Sequence, residues 1–203
     1  MNFIYLKGII KNIKYSHSIG DIVFNKAEII SRRKDGREDL ITIKYKQFSA
    51  DCKENDEVEL VGNIRSFSRS SDGKNKVDIY VFSYFDDIDQ NNEQYDCNNV
   101  AKLSGRICKK DTIRTTHNGK HYIHFILANN LITENEKRLN SYIPCVAWGT
   151  LAKLIDSEYE VGSQISVDGQ LQSREYKKRT DDGIELRLAH EFAVLSIGKD
   201  DEL

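Results

Sequence analysis

Hydrophobic and polar residues alternate along most of this chain, and a period of two residues is typical of half-buried β-strands. In the second half of the sequence Ile123, Phe125 and Leu127 share one parity, and the pair Asn118-Gly119 before them has the composition of a hairpin turn. Residues 151–159 depart from this period, because their apolar side chains recur at three- and four-residue spacing. That spacing predicts a short amphipathic helix in an otherwise all-β chain.

The alternation predicts five strands in each half of the chain, with a helical segment after the third. In the first half the predicted strands are 3–15, 21–31, 40–46, 58–69 and 76–85, and a weaker helical segment lies at 47–55. In the second half they are 100–114, 120–129, 142–148, 164–178 and 184–196. This is the element order of the OB fold, a five-stranded Greek-key barrel. The predicted fold class is all-β, with two tandem OB folds, each carrying a short helix between strands 3 and 4.

The chain also repeats itself. Leu6-Lys7-Gly8 is echoed by Leu103-Ser104-Gly105, and the segment 58–66 is echoed by 165–173. Each copy is far longer than a solenoid repeat of about 20 to 50 residues, which favours two complete domains of one kind. A polar segment between the copies predicts a linker that bends freely. We therefore expect a first OB domain at 1–88, a linker at 89–98, a second OB domain at 99–197 and a short acidic tail at 198–203.

Composition narrows the function classes. The net charge is only −2, which counts mildly against a nucleic-acid binder, so any such site must be local. The four cysteines lie far apart without a Cys-x-x-Cys pair, which predicts free thiols and no zinc site. No apolar run approaches the roughly 20 residues that span a bilayer, and the N-terminus has no export signal. We expect a cytoplasmic protein with no membrane attachment.

Four motifs of the second half occur in order and at plausible spacing. They are Asn99-Val100-Ala101-Lys102-Leu103-Ser104-Gly105-Arg106, then His117-Asn118-Gly119 before Phe125-Ile126-Leu127-Ala128, then Tyr142 to Ala152 with Ala147-Trp148-Gly149-Thr150, and Val161-Gly162-Ser163 before Asp168-Gly169-Gln170-Leu171. In these motifs the second half resembles the bacterial single-stranded DNA-binding protein family. The first half resembles that family only faintly, through Lys7-Gly8, Gly62-Asn63-Ile64 and the repeat itself.

The resemblance implies a sheet face and a long hairpin whose aromatic rings stack on unpaired bases. Tyr142, Trp148 and Tyr176 fall on such positions. Because every base has a π-face, stacking contributes about 1 to 3 kcal/mol per base without regard to sequence, while cations follow the phosphates. The implied function is non-sequence-specific binding of single-stranded DNA, with RNA as an alternative ligand, in DNA replication, recombination or repair.

Strand parity supports this placement of the rings. If Ile143, Cys145 and Ala147 face the barrel interior, Tyr142 and Trp148 face outward, together with Pro144 and Val146. Two alternative roles stay open for these rings. Trp148 could close the barrel core, and exposed rings could form an oligomer contact.

Cations accompany the rings in both halves. Arg174, Tyr176 and Lys178 share one parity, and the first half repeats this basic-aromatic-basic pattern. Lys44 and Lys46 lie on one face of the third strand, which predicts that the first half binds more by charge, less by stacking and more weakly. The alternative is that these basic side chains are only solvated. The predicted nucleic-acid-binding residues are Tyr142, Trp148, Tyr176, Arg174, Lys178, Tyr122, His124, Lys44, Lys46, Arg65, Phe67 and Arg69.

No catalytic, metal or cofactor site is predicted. The sequence has no Gly-x-Ser-x-Gly elbow and no phosphate-cradling glycine loop. His121 and His124 diverge on their strand, which disfavours a metal site. The resemblance implies a homodimer that presents four OB domains to single-stranded DNA, with replication proteins as further partners. The alternatives are a primosome-like accessory module with one OB domain binding protein, and a structural OB pair that binds protein or oligosaccharide.

Overall fold

A computed structural model describes residues 1–46, 52–71, 74–84, 95–132, 138–180 and 183–198. The described residues form eleven strands and one helix. For the strand residues 69–71, 74–76, 84, 132, 178 and 180 the description covers the backbone alone. Two of the predicted site residues, Arg69 and Lys178, therefore have side chains outside the described part of the chain.

The strands of the first half close into a five-stranded barrel. They are β1 (Asn2–Ile19), β2 (Ile22–Arg32), β3 (Glu38–Lys46), β4 (Glu57–Ser71) and β5 (Lys74–Tyr84). β1 pairs with β2, β2 with β3, β4 with β5 and β1 with β4, all antiparallel. The closing pair, β3 with β5, is parallel. This order of pairing is the Greek-key order of the OB fold.

The second half has the same pairing order. Its elements are β6 (Asn99–Lys110), β7 (Arg114–Thr115), β8 (His121–Ile132), β9 (Arg138–Trp148), α1 (Thr150–Glu158), β10 (Gln164–Thr180) and β11 (Gly183–Ile197). β9 and β11 form the parallel closing pair. The prediction of one strand over 100–114 was wrong, because β6 ends at Lys110 and the short β7 pairs separately with β8. The predicted helix is confirmed between the third and fourth long strands of this half.

The helix predicted at 47–55 is not confirmed. Residues 52–55 form no helix, and residues 47–51 lie outside the described part of the chain. Residues 72–73, between β4 and β5, and residues 181–182, between β10 and β11, also lie outside the described part of the chain. Within the described residues, the helix between strands 3 and 4 is therefore seen in the second half alone.

The two halves share one continuous sheet. β1 and β6 pair antiparallel along five residues of each strand, from Asn2 opposite Leu103 to Leu6 opposite Asn99. The ring of Tyr95, at the end of the predicted linker, stacks on Tyr5 with centroids 4.7 Å apart. Most of the predicted freely bending linker lies outside the described residues, and a backbone ladder joins the two described halves directly.

One asparagine in each half, at equivalent positions, bonds the first strand of that half to the fourth strand of the same barrel. The Asn2 amide donates to the Ile64 carbonyl oxygen at 2.8 Å and accepts from the Ile64 N–H at 2.8 Å. The Asn99 amide makes the same two bonds with Leu171, at 2.6 and 3.2 Å. Both asparagines are buried, so these bonds satisfy polar groups that water cannot reach.

A second pair of equivalent contacts links the halves, and it is unequal in charge. On one side the fully buried Asp39 accepts a bond from the Ser173 N–H at 2.7 Å and a two-pronged ion pair from Arg33 at 2.5 Å. On the other side the Ser141 hydroxyl oxygen, at the position of Asp39, accepts a bond from the Ser66 N–H at 3.3 Å, without any charge. One half therefore holds its neighbour through a buried carboxylate and the other through a hydroxyl.

Four glycines of the repeated motifs lie where another strand passes directly against the backbone. A Cβ at any of them would overlap a carbonyl oxygen of the neighbouring strand. The pairs are Gly8 with Ile30, Gly62 with Phe82, Gly105 with Ala128 and Gly169 with Ala193. The glycines of the repeated motifs therefore serve the same close strand packing in both barrels.

Replacing Gly169 by alanine is expected to lower the free energy of unfolding by about 1 to 3 kcal/mol, which is usual for overpacking. Besides the overlap with the Ala193 carbonyl, the new Cβ would lie 2.7 Å from Phe192 Cε1. Urea denaturation measures the change. The control is Gly198→Ala, since the nearest atom to a Cβ there is Ser166 Cβ at 3.5 Å. Equal stability of the two variants would show that β10 and β11 separate without cost.

Candidate nucleic-acid interface

Aromatic side chains line the outer face of β8 and β9. Ile143, Cys145 and Ala147 are buried, whereas Tyr142 is 45% and Trp148 39% exposed. Both rings lie outside the barrel, as strand parity predicts, so Trp148 does not close the core. Tyr122 stands directly opposite Trp148 in the ladder.

The rings on this face contact one another. Tyr122 lies 5.1 Å from Trp148, centroid to centroid, with the rings inclined at 33°. His124 meets the same Tyr122 ring edge-on at 5.5 Å. The Lys120 ammonium lies 5.1 Å from the Trp148 centroid. Sequence reasoning missed Lys120, although its place between a hairpin turn and β8 puts it beside the first outward ring.

Val146 corrects the parity argument at one position. It has the same parity as Tyr142 and Trp148, but only 1% of it is exposed. β9 lies between β8 and β11, and Val146 is flanked in the ladder by His124 and Ala193. A short side chain on the central strand of three is covered by its neighbours.

The long hairpin of β10 and β11 carries the third predicted ring. Tyr176 is half-buried, and the Arg174 guanidinium carbon lies 6.0 Å from the centroid of its ring. Arg187 stands opposite Tyr176 in the ladder and pairs with Glu185 at 2.7 Å. The described side chains therefore give Tyr176 two neighbouring cations, Arg174 as predicted and Arg187 as an addition.

The outer face of the first half carries more aromatic rings than predicted. Lys44 and Lys46 lie outward on β3, and Lys46 stands opposite Phe24 just as Trp148 stands opposite Tyr122. Beside them on β5, Tyr80 and Phe82 also face outward. Strand parity would have indicated both rings, because Ile79 and Val81 between them are core residues.

Cations cover these rings closely. The Lys44 ammonium lies 4.4 Å from the Tyr80 centroid, and the Arg65 guanidinium carbon lies 3.9 Å from the Phe82 centroid. Burial raises the pKa of Tyr80, while the charge of Arg65 opposes this rise. Phe67, also on β4, is 54% exposed.

The two basic-aromatic-basic patterns are not at equivalent positions. Ile64 pairs with Val81 as Leu171 pairs with Phe192, which aligns the two hairpins. Phe67 is then the third residue after Ile64, whereas Tyr176 is the fifth after Leu171. The ring of the second half lies farther out along its hairpin, so the sequence pattern is repeated without repeating the geometry.

A groove between the halves brings several predicted residues together. Its volume is about 930 Å³, and its lining includes Lys44, Phe67 and Tyr80 from the first half and Arg174, Tyr176 and Arg187 from the second. His124 also lines it, whereas Tyr142 and Trp148 do not. The predicted residues thus form two neighbouring surfaces, the groove and the outer face of β8 and β9.

Charges in the groove are mixed. Carboxylates and cations line it in similar number: Glu28, Asp78, Glu185 and Glu191 beside Lys26, Lys44, Arg174 and Arg187. Such a lining differs from the uniformly basic channel that a phosphate backbone requires.

The described residues were also compared with the requirements of a metal site, a disulfide and a membrane span. They contain no group of three or more His, Cys, Asp or Glu side chains arranged to hold a metal ion. Cys52, Cys97, Cys108 and Cys145 form no disulfide bond, and burial raises the pKa of Cys145. Across the described part of the chain, no helix has the length and apolar character needed to cross a membrane.

Comparison with known proteins finds relatives of the second half. The model of the Single-strand binding protein family matches residues 98–192. Single-stranded DNA-binding protein A of Bacillus subtilis is 35% identical over 83 residues, which cover 40% of this chain and 48% of that protein. Single-stranded DNA-binding protein 1 of Streptococcus pyogenes is 36% identical over 76 residues, covering 36% of this chain and 58% of that protein. The chain spans about half the length of the curated relatives it matches.

Solved structures extend the likeness to both halves. Wild-type single-stranded DNA binding protein from Thermus aquaticus aligns with a TM-score of 0.71 at 16% identity, covering 100% of this chain and 94% of that one. A deletion mutant of the same protein aligns with a TM-score of 0.70, also at 16% identity, covering 100% and 95%. At this identity the likeness shows the fold alone.

Proposed function

We propose that the chain, whose residues 98–192 match the model of the single-strand binding protein family, binds single-stranded DNA without reading its sequence. The observation that carries the proposal is the set of outward rings on β8 and β9: Tyr122 and Trp148 lie 5.1 Å apart, and Tyr142 faces outward six residues before Trp148. Large aromatic side chains exposed together on a sheet face are typical of surfaces that bind a ligand. The roles proposed for the chain are replication, recombination or repair of DNA.

The residues divide between stacking and charge. Tyr142, Trp148, Tyr122 and Tyr176 offer π-faces to bases, and Arg174 lies beside the ring of Tyr176 to meet phosphates. His124 supports the ring of Tyr122. In the first half the proposed contacts are Lys44, Lys46, Arg65 and Phe67. Arg69 and Lys178 stay predictions on sequence alone.

We propose a binding protein without catalytic activity. We also propose that the chain forms a homodimer with four OB domains and works with replication proteins in the cytoplasm. Two halves already joined by the ladder of β1 and β6 support the first step of such an assembly.

Trp148 is the only tryptophan, so its fluorescence reports on the outer face of β8 and β9. We expect oligothymidine to quench this fluorescence strongly at low salt, because a stacked base replaces water on the indole. Added salt should weaken binding, since phosphate contacts release counterions. Duplex DNA of the same length, whose bases are already stacked, is the control and should quench much less.

Two results would redirect the interpretation. Absent quenching by oligothymidine at low salt would contradict the proposal and favour a structural OB pair that binds protein or oligosaccharide. Stronger quenching by oligouridine than by oligothymidine would replace DNA with RNA as the ligand.

A further inference from the structure

The first half contains a pair of rings that neither the family match nor the predicted site includes. Resting on the proposed function, we infer that Tyr80 and Phe82 form a second base-stacking site on the outer face of β5, which borders the groove between the halves at Tyr80. The ligand is the same single strand that the second half binds.

Position distinguishes this site from the one in the second half. The alignment of the hairpins places Glu191 at the position of Tyr80 and Ala193 at the position of Phe82. The second half therefore has no ring at these two positions of its fifth strand, and the first half has Lys46 where the second has Trp148. Each half carries aromatic rings on the outer face, on different strands.

The local geometry is that of a stacking site with its own cations. Lys44 and Arg65 lie over Tyr80 and Phe82 at 4.4 and 3.9 Å, close to each ring centroid. A base that stacks on either ring displaces the cation from the π-face. The displaced cation then forms an ion pair with the neighbouring phosphate.

A second layer of rings supports Phe82 from the side. Phe24 lies 6.1 Å from Phe82, and His17 stacks on Phe24 at 4.7 Å with the rings 7° from parallel. Phe24 is only 7% exposed, so it holds Phe82 in place and does not itself receive a base. Tyr80 and Phe82 keep part of their surface exposed.

The groove gives the strand a path between the halves. Tyr80 and Lys44 line it from the first half, and Tyr176 and Arg174 line it from the second. Each of these two tyrosines has a cation beside its ring. The mixed charges of the groove lining disfavour phosphates at its floor, so the bases point inward and the phosphates follow the rim.

The test compares Tyr80→Leu, which removes the π-face and keeps apolar bulk, with Tyr80→Phe, which keeps the ring. Affinity is measured by fluorescence anisotropy with labelled oligothymidine of about 40 nucleotides, long enough for several OB folds at about 4 to 16 nucleotides each. We expect Tyr80→Leu to bind about tenfold more weakly, the usual loss for one stacked base, and Tyr80→Phe to bind like the parent.

Quenching of Trp148 by oligothymidine of about 8 nucleotides, which one OB fold accommodates, is the internal control. It should be unchanged in Tyr80→Leu, because Trp148 lies outside the groove. Unchanged affinity of Tyr80→Leu for the long strand would overturn the inference, as would an equal loss of the Trp148 signal with the short strand. Absent binding by the parent chain would instead overturn the proposed function, so the two failures are distinguishable.

Discussion

Replacing Tyr142 and Trp148 together by alanine is expected to weaken binding of single-stranded oligothymidine by at least about a hundredfold. Each ring offers one stacking contact of about 1 to 3 kcal/mol, and the pair therefore contributes about 2 to 6 kcal/mol. Both rings lie outside the barrel, so their removal leaves no cavity in the core. Affinity is measured by anisotropy with labelled oligothymidine, because the double variant has lost the intrinsic tryptophan signal.

Two controls separate stacking from loss of apolar surface. Tyr142→Phe with Trp148→Phe keeps two π-faces and should lose much less affinity than the alanine pair. Leu154→Ala with Val161→Ala removes two exposed aliphatic side chains, 43% and 60% exposed, in α1 and shortly after it, and should bind like the parent. If the alanine pair at 142 and 148 also bound like the parent, the outer face of β8 and β9 would not be the nucleic-acid surface.

Replacing Asp39 by alanine is expected to lower the free energy of unfolding by about 3 to 5 kcal/mol, the usual cost of removing one partner of a buried ion pair. The Asp39 side chain is 0% and that of its partner Arg33 11% exposed, so the variant leaves a guanidinium largely out of water. It also removes the acceptor of the Ser173 N–H, which links the two halves. Urea denaturation followed by circular dichroism measures the loss.

Ser141→Ala is the matched control, because Ser141 stands at the position of Asp39 and accepts the equivalent bond on the other side of the molecule. It removes the acceptor of the Ser66 N–H and should cost about 1 kcal/mol, as for one neutral hydrogen bond. Asp35→Ala breaks an exposed ion pair with Arg37 and should unfold like the parent. A loss at Asp39 no larger than that at Ser141 would show that the buried charge adds nothing to the contact between the halves.

Most of the fold was predictable because local patterns carry it. In each half the five long strands follow from alternation, and α1 follows from the spacing of Leu151, Leu154 and Ile155. The one clear error in the strands, an unbroken strand over 100–114, arose because β7 pairs with β8 as a separate short strand. Alternation reports burial on one face, and it does not report which neighbour a strand pairs with.

The candidate site was predictable where parity on a single strand decides it. Tyr142 and Trp148 follow directly from the buried residues between them. The cations over Tyr80 and Phe82 do not follow in this way. The parallel pairing of β3 with β5 places Lys44 beside Phe82, and these two residues are far apart in the sequence. The same limit applies to Arg187, which the hairpin register places opposite Tyr176.

The order of residues along the chain determined that this protein consists of two similar β-barrels with rings facing outward, because the alternation of side chains is a local pattern within each strand. Tertiary structure alone decided that the barrels share a sheet through β1 and β6 and enclose a groove between them. It also decided that the basic-aromatic-basic patterns lie at different distances along their hairpins. These features depend on register between strands that are distant in sequence, and register is set by packing of the whole molecule.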